Sequence, residues 1–436
     1  MMPNKWCAKR TLGSLFLIPL ALGSALGCSG GEDENRCNLD TPGNICTIAG
    51  NTENGYSGDD GPALQARMSF PQDTLTADDG TIYVLDWNNH RIRKIEDGVI
   101  RHVAGRGELG GTLDDPANSD FNHPTGMLFR PGQGQMIVSA WHNSKLRTLD
   151  LDTGEILDTC GDGRRSYWGD GGPALTASLD LPSSIAWDPN GNLVIMDQAN
   201  QVLRTIDAQG NINRLYGRCV IDAPAPSGPG PCADGVEPVA CAAMGTNPSG
   251  KFTCGDPATT CGSPCTPGYT DDTVPADLMR IGQPFGQSAD PGGRIAFDAE
   301  GRLYFADAGN SLIRRVNSDG SVTRIAGLPP NGYLPQRGYS GDGGPANEAL
   351  LNNPVDLAID EDGTLYFSDM FNHCVRTISP EGVIDTFAGQ CGEKGYEGDG
   401  GPAAAAKLLR PYGIELTADG LIISDSGNHL VRIVGR

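Results

Sequence analysis

Residues 425–432 read Asp-Ser-Gly-Asn-His-Leu-Val-Arg, and the spacing of the Asp, the Asn and the Arg recurs along the chain. The copies span residues 86–93, 140–147, 197–204, 307–314, 369–376 and 425–432. Only Ala140 departs from the Asp column. A unit of this length made of strands and turns cannot bury its apolar face alone, so the six copies are expected to stack into a closed ring.

Each copy is expected to form four short strands. In the fifth copy these are residues 355–359, 365–368, 374–378 and 383–388, and the turns between them are Glu-Asp-Gly at 361–363, the Asp-x-x-Asn turn at 369–372 and Pro-Glu-Gly at 380–382. Such turns between β-branched and aromatic runs are hairpin signals. The fold class predicted is therefore all-β, a six-bladed β-propeller.

The two ends of the chain are expected to meet in the last blade. The sixth copy stops at Arg436 after three strands, whereas residues 45–50 match the ending of the fourth strand at 323–327. We expect this N-terminal strand to complete the last blade and to remove an open sheet edge. The propeller then spans residues 44–436.

The repeat resembles the NHL repeat, named for the tripeptide Asn-His-Leu. That tripeptide is present as Asn428-His429-Leu430, and residues 89–91 and 372–374 are near copies. The resemblance covers residues 44–436 except for one insertion, and it implies the six-bladed fold. It implies no single function, because such propellers serve as enzymes and as binding scaffolds.

The N-terminus has the pattern of an export signal. Residues 1–27 have a basic start and an apolar stretch too short to span a bilayer well. The small residues before Cys28 resemble a bacterial lipoprotein processing site, with ordinary cleavage as the alternative. We expect lipidation of Cys28, an acidic tether over 28–43, and a protein held in the cell envelope, facing the periplasm or the cell surface.

The net charge disfavours two classes of partner. Without residues 1–27 the chain has 29 Lys and Arg against 54 Asp and Glu, a net charge of −25. Such a surface disfavours nucleic acid and anionic lipid. We therefore expect no nucleic-acid partner, contact with the membrane through the lipid anchor only, and a monomer.

The thirteen cysteines of an exported chain predict disulfides. Six of them lie in a Cys-rich insertion at 218–283, between blades 3 and 4. Cys374 and Cys391 flank antiparallel strands and are expected to form a bridge, and Cys37–Cys46 is a second candidate. The cysteine spacing does not favour zinc.

The turns sort into two faces. The one-to-two and three-to-four turns are short and share the short-turn face. The Asp-x-x-Asn turns and the blade connections share the other, long-loop face. A glycine-rich phrase recurs in these connections at 55–63, 167–174, 338–346 and 395–403. We expect it to fold a compact turn and to need no metal or cofactor, with calcium binding as the alternative.

Side chains that repeat in every blade are expected to be structural. The Arg column should form charge-assisted bonds to the Asp column; its members are Arg93, Arg147, Arg204, Arg314, Arg376 and Arg432. Side chains that are not shared are better ligand-binding candidates, because function lies on loops held by a rigid scaffold. These candidates are Asp73, Trp87, Trp141, His142, Trp168, Ser183, Asp356, Phe371 and Tyr412.

Aromatic rings beside hydroxyls and carboxylates suit a protein, peptide or glycan ligand. The sequence therefore favours a binding or scaffolding module. The alternative is a lyase that acts on a small polar or peptide substrate at the central channel. No catalytic residue can be named, since the positions that hold zinc-binding His in the similar amidating lyases are not His in this chain.

Overall fold

The computed structural model describes residues 41–107, 121–220, 265–284, 289–332 and 334–436. Its strands form six antiparallel sheets, one for each repeat. The strand that precedes the first repeat is β1 (Ile45–Ala49). Blade 1 contains β2 (Gly61–Pro62), β3 (Pro71–Thr76), β4 (Ile82–Asp86), β5 (Arg91–Glu96) and β6 (Val99–Ala104). Blade 2 contains β7 (Pro124–Arg130), β8 (Gln135–Ala140), β9 (Lys145–Asp150) and β10 (Ile156–Cys160).

The remaining blades follow the same order along the chain. Blade 3 contains β11 (Gly172–Pro173), β12 (Pro182–Trp187), β13 (Leu193–Asp197), β14 (Val202–Ile206) and β15 (Asn211–Tyr216). Blade 4 contains β16 (Ile295–Phe297), β17 (Leu303–Asp307), β18 (Leu312–Val316) and β19 (Val322–Ala326). Blade 5 contains β20 (Gly344–Pro345), β21 (Pro354–Ile359), β22 (Leu365–Asp369), β23 (Cys374–Ile378) and β24 (Val383–Ala388). Blade 6 contains β25 (Ile414–Leu416), β26 (Gly420–Asp425) and β27 (Leu430–Gly435).

The helical segments of the described residues are single 3₁₀ turns in two repeated places. In the Asp-x-x-Asn turns they are Trp87–Asn89, Trp141–Asn143, Ala308–Asn310, Met370–Asn372 and Ser426–Asn428. After the glycine-rich phrase they are Ala63–Gln65, Ala174–Thr176, Ala346–Glu348 and Ala403–Ala405. None of the helices in the described ranges has the length and apolar character needed to cross a membrane.

The six sheets close into a ring. Each innermost strand contacts the innermost strand of the blade before it and of the blade after it, and β25 of blade 6 contacts β3 of blade 1. The strand order of the last blade is β1-β27-β26-β25, with Ile45 opposite Val434 and Thr47 opposite Arg432. The predicted closure by the N-terminal strand is therefore confirmed.

The hydrophobic core lies between neighbouring blades. Ile313 of blade 4 packs in one cluster with Leu357 and Phe367 of blade 5. Ile45 and Val434 of blade 6 share another cluster with Val375 of blade 5. Each sheet thus buries its apolar faces only by stacking, as the repeat pattern predicted.

The Asp column ties each turn to the connection that precedes its blade. In blade 6, Asp425 Oδ1 accepts the backbone N–H of Leu409 at 2.7 Å. Its Oδ2 accepts from Asn428 Nδ2 at 2.8 Å and lies 3.5 Å from Arg432 Nη1. The equivalent Asp residues of blades 1, 3, 4 and 5 make the same three contacts.

The Arg column has a second carboxylate partner, in the glycine-rich phrase. Arg432 Nη2 donates to Asp399 Oδ1 at 2.7 Å and to the carbonyl of Glu397 at 3.2 Å. The hydroxyl of Tyr396 donates to Asp399 at 2.9 Å, and its ring lies 5.3 Å from the Arg432 guanidinium carbon. Blades 1, 3 and 5 repeat this Arg–Asp–Tyr arrangement, and the guanidinium is fully buried in each. We call this arrangement the arginine clamp.

The glycines of the phrase allow the loop to reach the blade. Gly341 has φ +99°, and a Cβ added there would lie 2.9 Å from Cα of Ala349. A side chain would therefore push the loop away from the clamp.

A further copy of the phrase lies inside residues 218–283, which the sequence predicts to be a Cys-rich insertion. Residues 268–276 read Gly-Tyr-Thr-Asp-Asp-Thr-Val-Pro-Ala. Arg314 donates to the carbonyl of Thr270 at 3.0 Å and lies 5.4 Å from the ring of Tyr269. Residues 268–276 thus take part in the repeat rather than in the insertion.

Blade 2 replaces the Asp column with Ala140 and holds its arginine differently. Arg147 Nε lies 3.2 Å from Asp158 Oδ1, on the outer strand β10. Asn143 Oδ1 accepts the N–H of Asn122 at 2.8 Å, which keeps one link to the preceding connection.

Two disulfides join described cysteines. Cys374–Cys391 links the start of β23 to the residues after β24, as predicted. Cys219–Cys265 closes the base of the insertion. Cys46 is also disulfide-bonded, whereas Cys37 lies outside the described residues. Among the described cysteines Cys160 is a buried free thiol.

The residue after the repeat Asn joins neighbouring blades. His429 Nδ1 accepts the N–H of Phe70 at 3.2 Å, His90 accepts that of His123 at 3.1 Å, and His373 accepts that of Arg410 at 3.2 Å. The donors Phe70, His123 and Arg410 have φ values of 50–52°. Non-glycine residues in this conformation are strained, so these hydrogen bonds help to hold the chain where it enters the next inner strand.

We predict that these joints weaken in acid. Only neutral imidazole accepts through Nδ1, and burial lowers the pKa of His373 and His429 below its usual value. Their contribution to folding stability is therefore present above pH ~6.5 and is lost as the pH falls below it. The melting temperature of the wild type should fall more between pH 7.5 and 5 than that of the His373→Asn/His429→Asn variant. Equal falls in both proteins would contradict this role.

Candidate functional site

The central channel is crossed by one buried side chain. Arg294 precedes β16 of blade 4, and its Nη1 donates to Asp73 Oδ2 on β3 of blade 1 at 2.9 Å. Its Nη2 donates to the carbonyl of Thr125 in blade 2. Blades 1 and 4 face each other across a six-membered ring, so the Arg294 side chain fills the channel. All three residues are buried.

The two channel carboxylates, Asp73 and Asp356, are engaged by protein groups. Besides Arg294, Asp73 accepts the N–H groups of Thr74 and Met127 at 3.1 and 3.0 Å. Asp356 accepts those of Leu357 and Ile414 at 2.8 and 2.9 Å. Burial raises the pKa of Asp356 to about 6, against the opposing effect of the Arg294 charge. Both carboxylates connect neighbouring inner strands.

Two more predicted candidates are buried at or next to inner strands. Ser183 lies on β12 and is 1% exposed, and Tyr412 is 3% exposed. Tyr412 packs with Val355 and Met370, and Phe371 packs against this cluster. Burial raises the pKa of Tyr412 well above its usual value, so its hydroxyl stays protonated. Ser183 and Tyr412 therefore belong to the packed channel wall.

An aromatic and histidine cluster covers the channel on the long-loop face. The rings of Trp141 and His142 stack with centroids 4.2 Å apart, and His123 lies 4.8 Å from His142. The ring of Trp87 lies 4.4 Å from that of His123, and His90 lies 4.3 Å from His123. Trp141 is buried and donates to Gln198 at 3.1 Å, whereas Trp87, His123 and His142 are only half-buried. We call Trp87, His123, His142 and Trp141 the aromatic rim.

The histidines of the rim are neutral near pH 7. Burial lowers the pKa of His123 to about 3 and that of His142 to about 4. The Nδ1 atoms of His123 and His142 lie 3.0 Å apart, a distance at which one ring donates to the other. The rim therefore offers uncharged rings with N–H and nitrogen groups, a chemistry suited to stacking and hydrogen bonding.

The opposite side of the channel mouth carries a charged group. The guanidinium carbon of Arg410 lies 5.1 Å from the ring centroid of Phe371. Arg410 Nη2 lies 3.0 Å from Asp290 Oδ1. Phe371 and Arg410 are half-buried, so part of each side chain remains open to a partner.

Trp168 is not part of the channel mouth. It lies in the glycine-rich phrase before blade 3, where its carbonyl accepts from Arg204 Nη2 at 3.0 Å. The structure thus brings Trp87, Trp141 and His142 together, places Phe371 and Tyr412 across the channel, and leaves Trp168 with the arginine clamp.

The sequence did not identify His123, His90, Gln198 or Arg294 as members of this site. His123 could have been found, because it directly precedes Pro124 at the start of an inner strand. Arg294 carries no such signal, because the other five copies have a residue other than Arg at the same distance from the opening proline. Across the residues that can be described, no three or more His, Cys, Asp and Glu side chains are arranged to hold a metal ion.

Comparisons with known proteins agree with this architecture. The teneurin NHL domain family matches residues 333–396. The chain is 25% identical over 407 residues to Teneurin-1 of Mus musculus, covering 80% of this chain and 14% of Teneurin-1. It is 24% identical over 344 residues to Protein SUPPRESSOR OF QUENCHING 1, chloroplastic, of Arabidopsis thaliana, covering 77% of this chain and 27% of that protein. The chain therefore spans only a minor part of either relative.

A solved structure shows the same fold. The crystal structure of an auxiliary nutrient binding protein from Bacteroides thetaiotaomicron superposes with a TM-score of 0.56 at 14% identity, covering 90% of this chain and 76% of that one. At this identity the likeness concerns the fold alone. With the repeat spacing and the ring of six sheets, these similarities show that the chain is a six-bladed β-propeller whose repeats are similar to those of the NHL type.

Proposed function

We propose that the protein is an exported, membrane-anchored module that binds a protein, peptide or glycan through its long-loop face. The carrying observation is the contrast between shared and unshared side chains on this face. The shared Asp and Arg side chains are buried in the arginine clamps. The unshared Trp87, His142 and Phe371 remain half-exposed around the channel mouth. A surface that differs from blade to blade above a repeated scaffold suits recognition of one asymmetric partner.

The filled channel favours binding at the mouth over catalysis within the channel. Arg294 occupies the centre, and Asp73 and Asp356 are each bonded to backbone N–H groups of the next blade. A substrate would have to displace these contacts to reach either carboxylate. The exposed edges of the aromatic rim are open to a ligand without such a change.

The entry point of the chain supports an outward-facing binding surface. Strand β27 runs from the Asp-x-x-Asn turn on the long-loop face to the short-turn face, and β1 pairs with it antiparallel. Gly43 N donates to the carbonyl of Gly435 at 2.8 Å. The chain therefore enters the propeller on the short-turn face. A lipid on Cys28 would be joined to this face by residues 28–40, which reach at most ~45 Å when extended.

The nutrient-binding proteins with this fold support the proposal only in general terms. They show that a propeller of this architecture occurs in proteins named for ligand binding. The chemistry expected for a partner of this chain rests on its own rim: stacking on indole and imidazole rings, and hydrogen bonds to uncharged groups.

We predict that substitutions in the rim weaken capture of a partner. Immobilised wild-type protein, Trp87→Ala and His142→Ala would be incubated with envelope extract of the organism and, separately, with an array of oligosaccharides. Removing a central aromatic contact should weaken binding by about tenfold or more. Retained ligands would be quantified by mass spectrometry or by array fluorescence.

The matched control is Leu157→Ala. Leu157 lies on the outer strand β10 and is 49% exposed, far from the mouth. This variant should capture the same ligands as the wild type. If wild type and both rim variants retain the same ligands equally, or if none retains any, the proposed binding face is wrong.

We predict that Cys28→Ser releases the protein from the membrane. Without a lipid, the acidic tether and the net charge give no attraction to an anionic bilayer. Fractionation of cells should find the wild type with membranes and the variant in the soluble exported fraction. A variant that stays with the membranes would contradict the lipid anchor but would leave the binding face untouched.

A further inference from the structure

A groove lies between blades 4 and 5, away from the aromatic rim. Its volume is about 320 Å³, within the range of small-molecule sites. Blade 4 contributes Tyr304, Arg315 and Arg324, and blade 5 contributes the turn 379–382. This turn joins β23 to β24, so the groove opens toward the short-turn face.

Two arginines of this groove have no carboxylate partner among the residues that the structure describes. Arg315 Nε donates to Asn317 Oδ1 at 2.8 Å, and its Nη1 donates to the hydroxyl of Tyr304 at 3.3 Å. Arg324 Nη1 donates to the carbonyls of Gly327 and Asn347. Within the described ranges neither guanidinium forms a salt bridge, and each keeps N–H groups that bond to no described residue. Both side chains are half-buried.

In the described part of the chain, Arg91 and Arg337 also bond to carbonyl groups rather than to carboxylates, but Arg315 and Arg324 lie together beside one cavity. The chain has 54 acidic residues against 32 basic ones. The clamp arginines and Arg294 are all paired with carboxylates. Two uncompensated guanidiniums beside one cavity therefore mark a place where an anion would be stabilised, since arginine presents a planar pair of donors to a carboxylate or a similar group.

Four aliphatic side chains contribute to the groove wall. Ile325 of blade 4 and Ile359, Leu365 and Ile378 of blade 5 line it. Glu381 is exposed at its edge and is the one acidic residue of the lining. The two arginines thus outnumber the single carboxylate, and an apolar surface lies next to them.

We propose that this groove binds an anionic amphiphile: a planar anionic head held by Arg315 and Arg324, with an apolar body against the isoleucines. The site lies between two blades and opens on the short-turn face, so it does not depend on the proposed function of the rim. A ligand bound there would contact blades 4 and 5 together.

The test uses 2-naphthoate, which combines a carboxylate with a flat apolar body, in calorimetric titration of the purified protein. Saturable binding with one site per chain is expected. The Arg315→Gln/Arg324→Gln variant should bind about tenfold more weakly or worse, because it loses both charge-assisted contacts. The uncharged analogue 2-naphthalenemethanol should also bind more weakly to the wild type.

Two further variants keep the test independent of folding. Glu381→Gln removes the opposing carboxylate at the exposed edge and should tighten binding of 2-naphthoate. Arg302→Gln removes an exposed arginine that pairs with Asp298 and Glu300 outside the groove, and it should leave binding unchanged. The absence of saturable binding to the wild type, or equal binding by the wild type and the double arginine variant, would overturn the proposal.

Discussion

A buried arginine held between two carboxylates is the interaction on which the repeat depends. In blade 6 the guanidinium of Arg432 lies between Asp425 of the turn and Asp399 of the preceding loop. A buried charge is unfavourable unless it is paired and hydrogen-bonded. If the loop moved away from the blade, Arg432 would lose one of its two carboxylates, and folding would be destabilised. The clamp thereby fixes the position of the connections that precede blades 1, 3, 5 and 6. Because these connections form the long-loop face, the geometry of that face follows from the clamps.

The same constraint separates structural from recognition residues. Side chains that serve the clamps and the blade joints are occupied by contacts that recur around the ring. The channel centre is likewise occupied by Arg294 and its two aspartates. What remains available on the long-loop face are side chains of single blades, among them Trp87, His142 and Phe371. The groove beside Arg315 and Arg324 is the corresponding case on the other face, where two charges are left without a carboxylate.

Six copies of one spacing made the fold and the closing strand predictable. A departure from the pattern in one copy, such as Ala140, is outweighed by the agreement of the other five. The sequence also showed the Arg column and the glycine-rich phrase, but not that they belong together. The separation of 34 residues between Asp59 and Arg93 recurs for Asp170 and Arg204 and for Asp342 and Arg376, and it is the signal that could have linked them. The rim was found only in part, because His123 lies in the connection between blades 1 and 2 and meets His90 only through the packing of these neighbouring blades. Arg294 crosses between opposite blades, a contact that no local pattern encodes.

The most direct test of the clamp is the free energy of unfolding of Asp425→Asn, measured by urea denaturation beside Asp419→Asn. Asn at 425 would keep the shape of the side chain but would leave Arg432 with one carboxylate and set an N–H group against its donors. Asp419 is exposed in the short turn of the same blade. We expect a loss of about 3 kcal/mol for Asp425→Asn and a change within about 0.5 kcal/mol for Asp419→Asn. Equal, small changes in both variants would contradict the central role of the clamp.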